Sequence, residues 1–332
     1  MATITGKQVG PEGFGLMSLT TRPTQTPDAQ AFAVLTQALE SGATLWSSAE
    51  FYGTPDNSYA NLKLLKRFLE EQPEAAKKAV FAIKGGLKFV NGRHNYQFDL
   101  SPANLRSSIE NILQETGLDA IDVFLPARLP PGTDVESVVG ALDKLRKEGL
   151  ICGIGLSEVS AATIHKAAKV AKIDLAEIEL SLFTTDALSN GIVDACAEHG
   201  IPIAAYSPLA RGFLAGSIRS REDFDPKDLR LTFPRFSEEN FPKNIQLMDQ
   251  VKKIAEKKGV TIAQIAIAWV AHQKGTVIPI PGTTSVERLN DNLGATKVRL
   301  SQQELAEIDE LLKNITVGGD RYPAIHAATL NG

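Results

Sequence analysis

A lysine and a tyrosine in this sequence could together act as a general acid. Lys84 ends an otherwise apolar run, residues 80–83, and Tyr52 lies in the segment 49–53 that follows another such run. An ammonium ion beside a phenol lowers the pKa of the phenol, because the positive charge favours the phenolate. The pair would then serve as a general acid near neutral pH. Taken singly, Lys84 could instead extend to solvent and Tyr52 could be a packed aromatic.

A second group of residues has the chemistry of a phosphate-binding site. Residues 280–285 read Ile-Pro-Gly-Thr-Thr-Ser and lead into a helical pattern, with Arg288 one turn inside it. Hydroxyl and backbone N–H groups at a helix start, together with an arginine, can hold a phosphate. A plainer alternative stays open, in which Ser285 only caps the helix. Gly153 and Gly155 lack the third glycine of the Gly-x-Gly-x-x-Gly motif, so a dinucleotide would not bind in the Rossmann manner.

The elements that must position these residues follow a regular order. Short apolar runs alternate with helical patterns, which is typical of repeated βα units. Eight runs are present, at residues 13–18, 44–47, 80–85, 120–126, 151–157, 177–181, 202–207 and 277–281. Eight units favour an α/β fold of the closed (β/α)8 type, a TIM barrel, over an open doubly wound sheet. We predict a single domain, residues 1–332, with an N-terminal hairpin at 3–10 and an extra C-terminal helix at 301–312.

The barrel prediction also locates the site, because barrel active sites lie at the carboxyl ends of the strands. Tyr52, Lys84 and the segment 280–285 all fall at such ends. The stretch 210–242, rich in charge, proline and phenylalanine, is longer than an ordinary connection. We interpret it as a functional loop.

Composition and charge restrict the partners. The chain has 35 Lys and Arg residues against 39 Asp and Glu residues, a net charge of −4, which argues against a nucleic-acid partner. Cys152 and Cys196 lack metal or redox spacing, which favours reduced thiols and a cytoplasmic location, with the nucleus as a second possibility. No apolar run reaches the length of a membrane span. The histidines are scattered along the sequence and predict no metal site; they are His94, His165, His199, His272 and His326.

Three stretches resemble the aldo-keto reductases, and the resemblance covers nearly the whole chain. They are residues 42–53 (Gly-Ala-Thr-Leu-Trp-Ser-Ser-Ala-Glu-Phe-Tyr-Gly), 205–214 (Ala-Tyr-Ser-Pro-Leu-Ala-Arg-Gly-Phe-Leu) and 278–288 (Ile-Pro-Ile-Pro-Gly-Thr-Thr-Ser-Val-Glu-Arg). The resemblance implies a (β/α)8 oxidoreductase that uses NADPH/NADP+ and a small-molecule aldehyde. In it Tyr52 would be the proton donor and Lys84 its activating cation. We expect a monomer or a weak oligomer.

The same resemblance assigns a set of residues to the cofactor. Ser157 and Glu177 would face the nicotinamide carboxamide, and Tyr206 would stack on the nicotinamide ring. The remaining positions divide into Ser207, Leu209 and Arg211 for the pyrophosphate, Thr283, Thr284, Ser285 and Arg288 for the 2′-phosphate, and Asp291 and Asn292 near the adenine. A cluster of hydroxyls and an arginine suits a phosphate better than a bare ribose.

Two positions depart from the family pattern. The family normally has aspartate at the position of Ser47 and histidine at the position of Ala127. Without the aspartate we expect Lys84 to be less firmly held and its pKa to fall through burial. Without the histidine one hydrogen-bond donor to the carbonyl oxygen is lost, a change that typically costs about 10² to 10³ in rate. A substrate with a polar group of its own could make up for that loss.

Residues 46–52 and 126–128 resemble the fungal pyridoxal reductase branch, in which these positions also depart from the family norm. That resemblance implies reduction of pyridoxal to pyridoxine in vitamin B6 metabolism. Arg22 and Trp46 are candidate substrate contacts, and residues 321–326 are a candidate cover for the site.

Three other functions stay open from the sequence. One is a general aldehyde or ketone reductase. Another is a cofactor-binding regulatory subunit that resembles the potassium-channel β subunits, which Ser47 and Ala127 would suit. The third is a barrel glycosidase, because Glu158, Glu177 and Glu179 lie at neighbouring strand ends and paired carboxylates perform that chemistry.

Overall fold

The chain begins with a hairpin that covers one end of a barrel. The computed structural model describes residues 2–22, 24–54, 57–89, 96–323, 330 and 332. Strands β1 (Ala2–Ile4) and β2 (Lys7–Val9) pair antiparallel. Ile4 and Val9 pack against the aliphatic side chains inside the barrel, so the hairpin seals its amino end.

Ten further strands follow in the described residues. They are β3 (Phe14–Gly15), β4 (Leu45–Ala49), β5 (Val80–Gly85), β6 (Leu87–Phe89), β7 (Tyr96–Phe98), β8 (Ile121–Pro126), β9 (Ile151–Ser157), β10 (Leu175–Glu179), β11 (Ile203–Tyr206) and β12 (Val277–Pro279). Strands β6 and β7 form a separate antiparallel pair, and the other eight form one parallel sheet in the order β12-β11-β10-β9-β8-β5-β4-β3. The N–H groups of Gly13 and Gly15 donate to the carbonyls of Pro279 and Pro281 at 2.9 and 3.2 Å, which brings the two edges together. The predicted (β/α)8 barrel is confirmed.

Helices surround the sheet. They are α1 (Asp28–Glu40), α2 (Ala60–Glu71), α3 (Ala75–Lys78), α4 (Pro102–Thr116), α5 (Val135–Lys147), α6 (Ala161–Val170), α7 (Ile192–Glu198), α8 (Phe241–Lys258), α9 (Ile262–Ala271), α10 (Val286–Gly294) and α11 (Gln302–Asn314). Ser160, Thr261, Ser285 and Ser301 accept a backbone N–H at the start of their helices, which is why these helices begin where they do. In the described part of the chain, no helix is both long enough and apolar enough to cross a bilayer.

The structure moves some predicted boundaries. The first run, 13–18, is a strand only at Phe14–Gly15, because the chain then turns through a 3-10 segment, Met17–Leu19. The run at 177–181 begins two residues earlier, at Leu175, as β10. The extra C-terminal helix is confirmed as α11, with Ser301 as its cap.

The stretch 210–242 consists of short 3-10 turns held down by aromatic side chains. The turns are Ala210–Ala215, Arg221–Asp223, Leu229–Thr232 and Pro234–Phe236. The Phe213 ring centroid lies 4.7 Å from that of Phe236 and 5.0 Å from that of Phe241. Because these rings are buried, the segment is anchored to the barrel beside the carboxyl edge.

Candidate active site

The pleat of the strands decides which side chains reach the barrel interior. Strands β4, β5 and β10 each contribute an aliphatic side chain to the interior cluster. Two residues further toward the carboxyl end, the same strand faces carry Ser47, Lys84 and Glu177, all of them buried. Three polar groups therefore meet above an apolar floor.

These three side chains form a closed hydrogen-bonded triangle. The Lys84 ammonium donates to Glu177 Oε1 at 2.8 Å and to Ser47 Oγ at 2.8 Å. The Ser47 hydroxyl donates to Glu177 Oε2 at 2.7 Å. The Lys84 and Glu177 side chains are only 3% and 5% exposed, so the ion pair is almost fully removed from water.

Tyr52 lies directly beside this triangle. The Lys84 Nζ atom is 5.0 Å from the centroid of the Tyr52 ring. The loop that carries the tyrosine is tied down because Thr20 Oγ1 donates to the Tyr52 carbonyl at 3.0 Å. The sequence prediction that Tyr52 and Lys84 act together therefore has the required proximity.

The pKa values of the pair differ from the sequence expectation. Burial raises the pKa of Tyr52, the Lys84 charge acts to lower it and the Glu177 charge acts to raise it, so the net shift is upward. The expected lowering is wrong in net direction, because burial outweighs the ammonium. Burial opposes the charged form of Lys84, but Glu177 and Tyr52 raise its pKa above the usual value. The expected fall is therefore wrong as well, because Glu177 supplies the missing carboxylate.

The end of β8 carries a small residue and a cation. Ala127 is buried, and the Arg128 guanidinium donates to its carbonyl at 2.7 Å and to Ser157 Oγ at 3.2 Å. Burial disfavours the charge of Arg128, but Tyr206 and other acidic groups nearby raise its pKa. Among the described residues no carboxylate forms an ion pair with Arg128. Ser157 thus lies beside an arginine at the mouth of the barrel.

Strand β11 ends in a strained turn at the same edge. Tyr206 projects from the strand, and its hydroxyl is 2.9 Å from that of Tyr322 in the C-terminal segment. Ser207 has a φ of 53°, a left-handed value that few residues with side chains adopt. Leu209 is partly buried against the main core. Strain at a barrel mouth is typical of residues placed for a ligand.

Arg211 lies between two aromatic rings. Its guanidinium carbon is 4.4 Å from the ring centroid of Phe233 and 4.7 Å from that of Tyr322. Its backbone is also left-handed, with a φ of 57°. The Nη2 atom is buried and has no hydrogen-bond partner among the described residues. A buried guanidinium donor without a partner is suited to an anionic ligand.

The hydroxyl cluster lies at the start of α10, as predicted. Thr283 and Thr284 are buried, and Ser285 caps the helix by accepting the Arg288 N–H at 3.3 Å. Arg288 is exposed. The structure adds Arg22, which donates to Thr284 Oγ1 at 2.9 Å. The cluster therefore has two arginines.

The two predicted adenine contacts have different surroundings. Asp291 joins α10 to the start of α9, because it accepts hydrogen bonds from Thr261 Oγ1 at 3.2 Å and Gln264 Nε2 at 3.0 Å. Asn292 is buried on the same helix.

Both candidate substrate contacts lie elsewhere. Trp46 is fully buried, packs against Phe68 and Phe81 and donates to the Ala43 carbonyl at 2.7 Å. It lies outside the barrel because side chains alternate and Ser47 takes the inward direction. Arg22 lies at the hydroxyl cluster instead of beside Tyr52. The structure therefore does not bring either residue to the Tyr52 and Lys84 pair, and their contact with substrate stays a prediction.

The neighbouring carboxylates are already paired with arginines. Glu158 accepts a hydrogen bond from Arg321, whose Nε atom lies 3.6 Å from Glu179. Arg235 lies 4.0 Å from Glu179. With Glu177 bound to Lys84, all three carboxylates of the glycosidase alternative face cations. Arg321 and Tyr322 contact Glu158 and Tyr206 at this edge of the barrel, whereas residues 324–326 lie outside the described residues.

The histidines are less scattered than the sequence suggested. His165 Nδ1 and His199 Nε2 are 2.9 Å apart, because α6 and α7 are neighbours in the outer ring. Glu198 lies with them, and one ligand atom from each lies within 4.8 Å of the others, a donor set that suits zinc. His94 and His326 lie outside the described residues.

Sequence reasoning missed two functional features of this site. It assigned Glu177 to the cofactor and did not pair it with Lys84, and it gave no role to Arg128. The signal for Glu177 was available, because the alternation from Leu175 puts residue 177 inside the barrel. The partner across the barrel was not available, since β10 and β5 are separated by two strands in the sheet.

Comparisons with known proteins agree with this geometry. The family model described as "Aldo/keto reductase family" matches residues 13–313. The probable pyridoxal reductase 2 of Schizosaccharomyces pombe is 37% identical over 340 residues, covering all of both chains. The aldo-keto reductase yakc [NADP(+)] of the same organism is 36% identical over 94% of this chain and 91% of its own.

Solved structures are similar over nearly the same length. A glycerol dehydrogenase from Gluconobacter oxydans has a TM-score of 0.82 and 25% identity, covering 94% of each chain. A thermostable aldo-keto reductase has a TM-score of 0.71 and 23% identity, covering 92% of this chain and 97% of its own, and supports the fold alone. The chain therefore belongs to the aldo/keto reductase family and is an oxidoreductase that acts on carbonyl groups.

Proposed function

We propose that the protein reduces pyridoxal to pyridoxine with NADPH, as part of vitamin B6 metabolism. The observation that carries the chemistry is the buried Lys84 ammonium 5.0 Å from the Tyr52 ring at the carboxyl end of the barrel. The full-length relative named a probable pyridoxal reductase supports this substrate. The relative named with NADP(+) supports this cofactor.

Tyr52 is the proton donor of the proposed reaction. When bound, NADPH supplies a hydride to the carbonyl carbon. Tyr52 Oη donates its proton to the carbonyl oxygen, which becomes the alcohol, and the Lys84 charge stabilises the phenolate left behind. Burial raises the pKa of Tyr52, so the phenol holds its proton at neutral pH until the substrate oxygen takes it. Each turnover consumes one proton, which solvent returns through the partly exposed tyrosine.

The chain has residues that fit such a cofactor. The unpartnered, buried Nη2 of Arg211 suits a pyrophosphate oxygen, and the hydroxyls at the start of α10 suit the 2′-phosphate, where Arg22 adds a second cation. The full proposed set is Ser157, Tyr206, Ser207, Leu209, Arg211, Thr283, Thr284, Ser285, Arg288, Asp291 and Asn292.

The substrate side of the site favours an aldehyde with a negative group beside it. Ala127 offers no hydrogen-bond donor to the carbonyl oxygen, whereas the neighbouring Arg128 is half-buried and forms no ion pair with a carboxylate in the described residues. The phenolic oxygen of pyridoxal adjoins its aldehyde. A phenolate there would bind Arg128 and compensate for the absent donor.

The test is NADPH consumption by the purified protein with pyridoxal and simple aldehydes, alongside Tyr52→Phe. We expect turnover selective for pyridoxal, and in Tyr52→Phe a loss of about 10² to 10⁴ in kcat with NADPH binding retained. Arg128→Met should lower kcat/KM for pyridoxal and salicylaldehyde about tenfold or more, and leave benzaldehyde nearly unchanged.

The alternatives give different results. Turnover of simple aldehydes without pyridoxal would establish a general reductase. Tight NADPH binding with no turnover of any aldehyde would establish a regulatory subunit. Full activity in Tyr52→Phe would remove the proposed proton donor.

We also propose that residues 1–332 act as one domain, a monomer or weak oligomer, in the cytoplasm. Cys152 and Cys196 are both free thiols, which supports a reducing compartment. Gel filtration and fractionation of the cell test these proposals.

A further inference from the structure

The buried triangle of Lys84, Glu177 and Ser47 indicates a different role for Glu177, which the sequence analysis placed at the cofactor. Glu177 has both carboxylate oxygens engaged, one by the Lys84 ammonium and one by the Ser47 hydroxyl. Among the described residues no other carboxylate forms an ion pair with Lys84. The pair is 3% and 5% exposed, so neither charge is screened by water.

The connection crosses the barrel interior. Lys84 lies on β5 and Glu177 on β10, and two other strands separate them in the sheet. Ser47 lies on β4, the immediate neighbour of β5, so one side of the triangle runs along the sheet and the others cross the lumen. Cross-links from three strands hold the ammonium at one place.

We propose that Glu177 is a positioning residue of the reaction, which holds the Lys84 ammonium beside the Tyr52 ring. Ser47 assists because its hydroxyl hydrogen-bonds both Lys84 and Glu177. The proposal rests on the proposed reductase function and deepens it. Glu177 acts through Lys84 and does not touch the substrate.

The electrostatics of the site support this role. A buried ammonium that lacks a partner gives up its proton. Glu177 raises the pKa of Lys84 and so keeps the cation that Tyr52 needs. Glu177 also acts to raise the pKa of Tyr52, which keeps the phenol protonated before the reaction.

The test moves the carboxylate to the other corner of the triangle. Glu177→Gln removes the charge, and Ser47→Asp combined with Glu177→Gln restores a carboxylate within reach of Lys84 Nζ. The control is Asp174→Asn, which removes the charge of another buried carboxylate before the amino end of β10, where it accepts the Ile154 N–H at 3.1 Å. Each full-length variant is assayed for kcat against pH, NADPH affinity by fluorescence, and thermal unfolding without cofactor.

We expect Glu177→Gln to lower kcat about 100-fold, with the NADPH Kd within threefold of wild type and a lower Tm. The double variant should regain at least tenfold in kcat and part of the Tm. Its pH profile should also return toward that of wild type. Asp174→Asn should lower Tm with kcat within threefold.

Two results would overturn the assignment. One is a Glu177→Gln protein with weakened NADPH binding and unchanged kcat, which would place the carboxylate on the cofactor. The other is a double variant that is no better than Glu177→Gln in kcat and Tm. If the wild type turns over no aldehyde, the proposed function fails, and Tm recovery in the double variant still decides whether a carboxylate must face Lys84.

Discussion

Two buried carboxylates at opposite ends of the barrel, Glu177 and Glu12, have opposite surroundings. At the carboxyl end Glu177 has two hydrogen-bonding partners, Lys84 and Ser47. At the amino end Glu12 is 1% exposed, and neither of its oxygens has a hydrogen-bond partner among the described residues. Burial raises the pKa of Glu12 to about 8, so it is buried as a neutral acid. A paired carboxylate can keep its charge inside a protein and serve chemistry, whereas an unpaired one takes up a proton.

Replacing the cation at the carboxyl end should have the largest effect. Lys84→Met leaves Glu177 buried and unpaired, so we expect a loss of about 10³ in kcat and about 3–5 kcal/mol in the free energy of unfolding. Steady-state kinetics and urea unfolding measure the two effects. Wild-type stability in this variant would show that the Glu177 charge does not depend on its partner.

Removing the acid at the amino end should raise the free energy of unfolding instead of lowering it. An acid with a folded pKa of about 8 and an unfolded pKa near 4.5 destabilises the fold progressively as the pH rises through that window, because only the unfolded chain releases its proton. Glu12→Gln should therefore match wild type below pH 4.5 and be about 4 kcal/mol more stable near pH 8. Urea unfolding across pH 4–8 measures the difference.

His272 and Arg299 line the cavity of about 230 Å³ next to Glu12, so each contributes an ionisable group beside it. Repeating the series in a His272→Gln background separates the two groups. A stability difference that does not change with pH would contradict the neutral, buried Glu12.

Restoring a donor at the carboxyl end should change specificity. Ala127→His puts a hydrogen-bond donor beside the carbonyl oxygen, and we expect kcat/KM for simple aldehydes to rise about tenfold. Pyridoxal should gain little if, as proposed, its phenolic oxygen binds Arg128 and so compensates for the absent donor, and the histidine takes up space. Comparing benzaldehyde with pyridoxal checks this. An equal gain for both would show that Ala127 is not adapted to the substrate.

Replacing Lys7, the cation at the amino end, should have the smallest effect on stability and activity. Lys7 in the hairpin bonds Asp122 at 2.8 Å and the carbonyls of Ala76 and Ala79, with its side chain 26% exposed. Lys7→Met should cost about 1 kcal/mol in unfolding and leave kcat unchanged, since solvent still reaches this pair. It is the matched control for Lys84→Met. A loss of turnover in Lys7→Met would mean that the hairpin influences the site.

Much of the fold could be predicted because it depends on local pattern. The alternation of apolar runs and helices indicated the barrel, and serine and threonine caps mark where helices begin. The ends of strands were less predictable. Phe14–Gly15 is a strand of two residues because the chain turns away to form the 3-10 segment Met17–Leu19. The apolar pattern of residues 13–18 does not predict that turn.

Some residues of the candidate site could also be predicted from the sequence, and others could not. Tyr52, Lys84 and the hydroxyls of 283–285 could be identified from the sequence, because residue type and strand position suffice to name them. Trp46 could not be placed, because a shift of one residue along a strand reverses the side on which a side chain lies. Arg22 could not be placed either, since its partner Thr284 is 262 residues away.

The sequence by itself determined the order of strands and helices and the presence of a tyrosine and a lysine at the ends of two strands. Only the tertiary structure decided that Glu177, 93 residues from Lys84, is the carboxylate that holds this cation. The physical reason is that the sheet closes into a barrel. When the sheet curls into a barrel, side chains from strands that are not neighbours meet in the lumen. There the low dielectric makes each charge depend on the partner it meets.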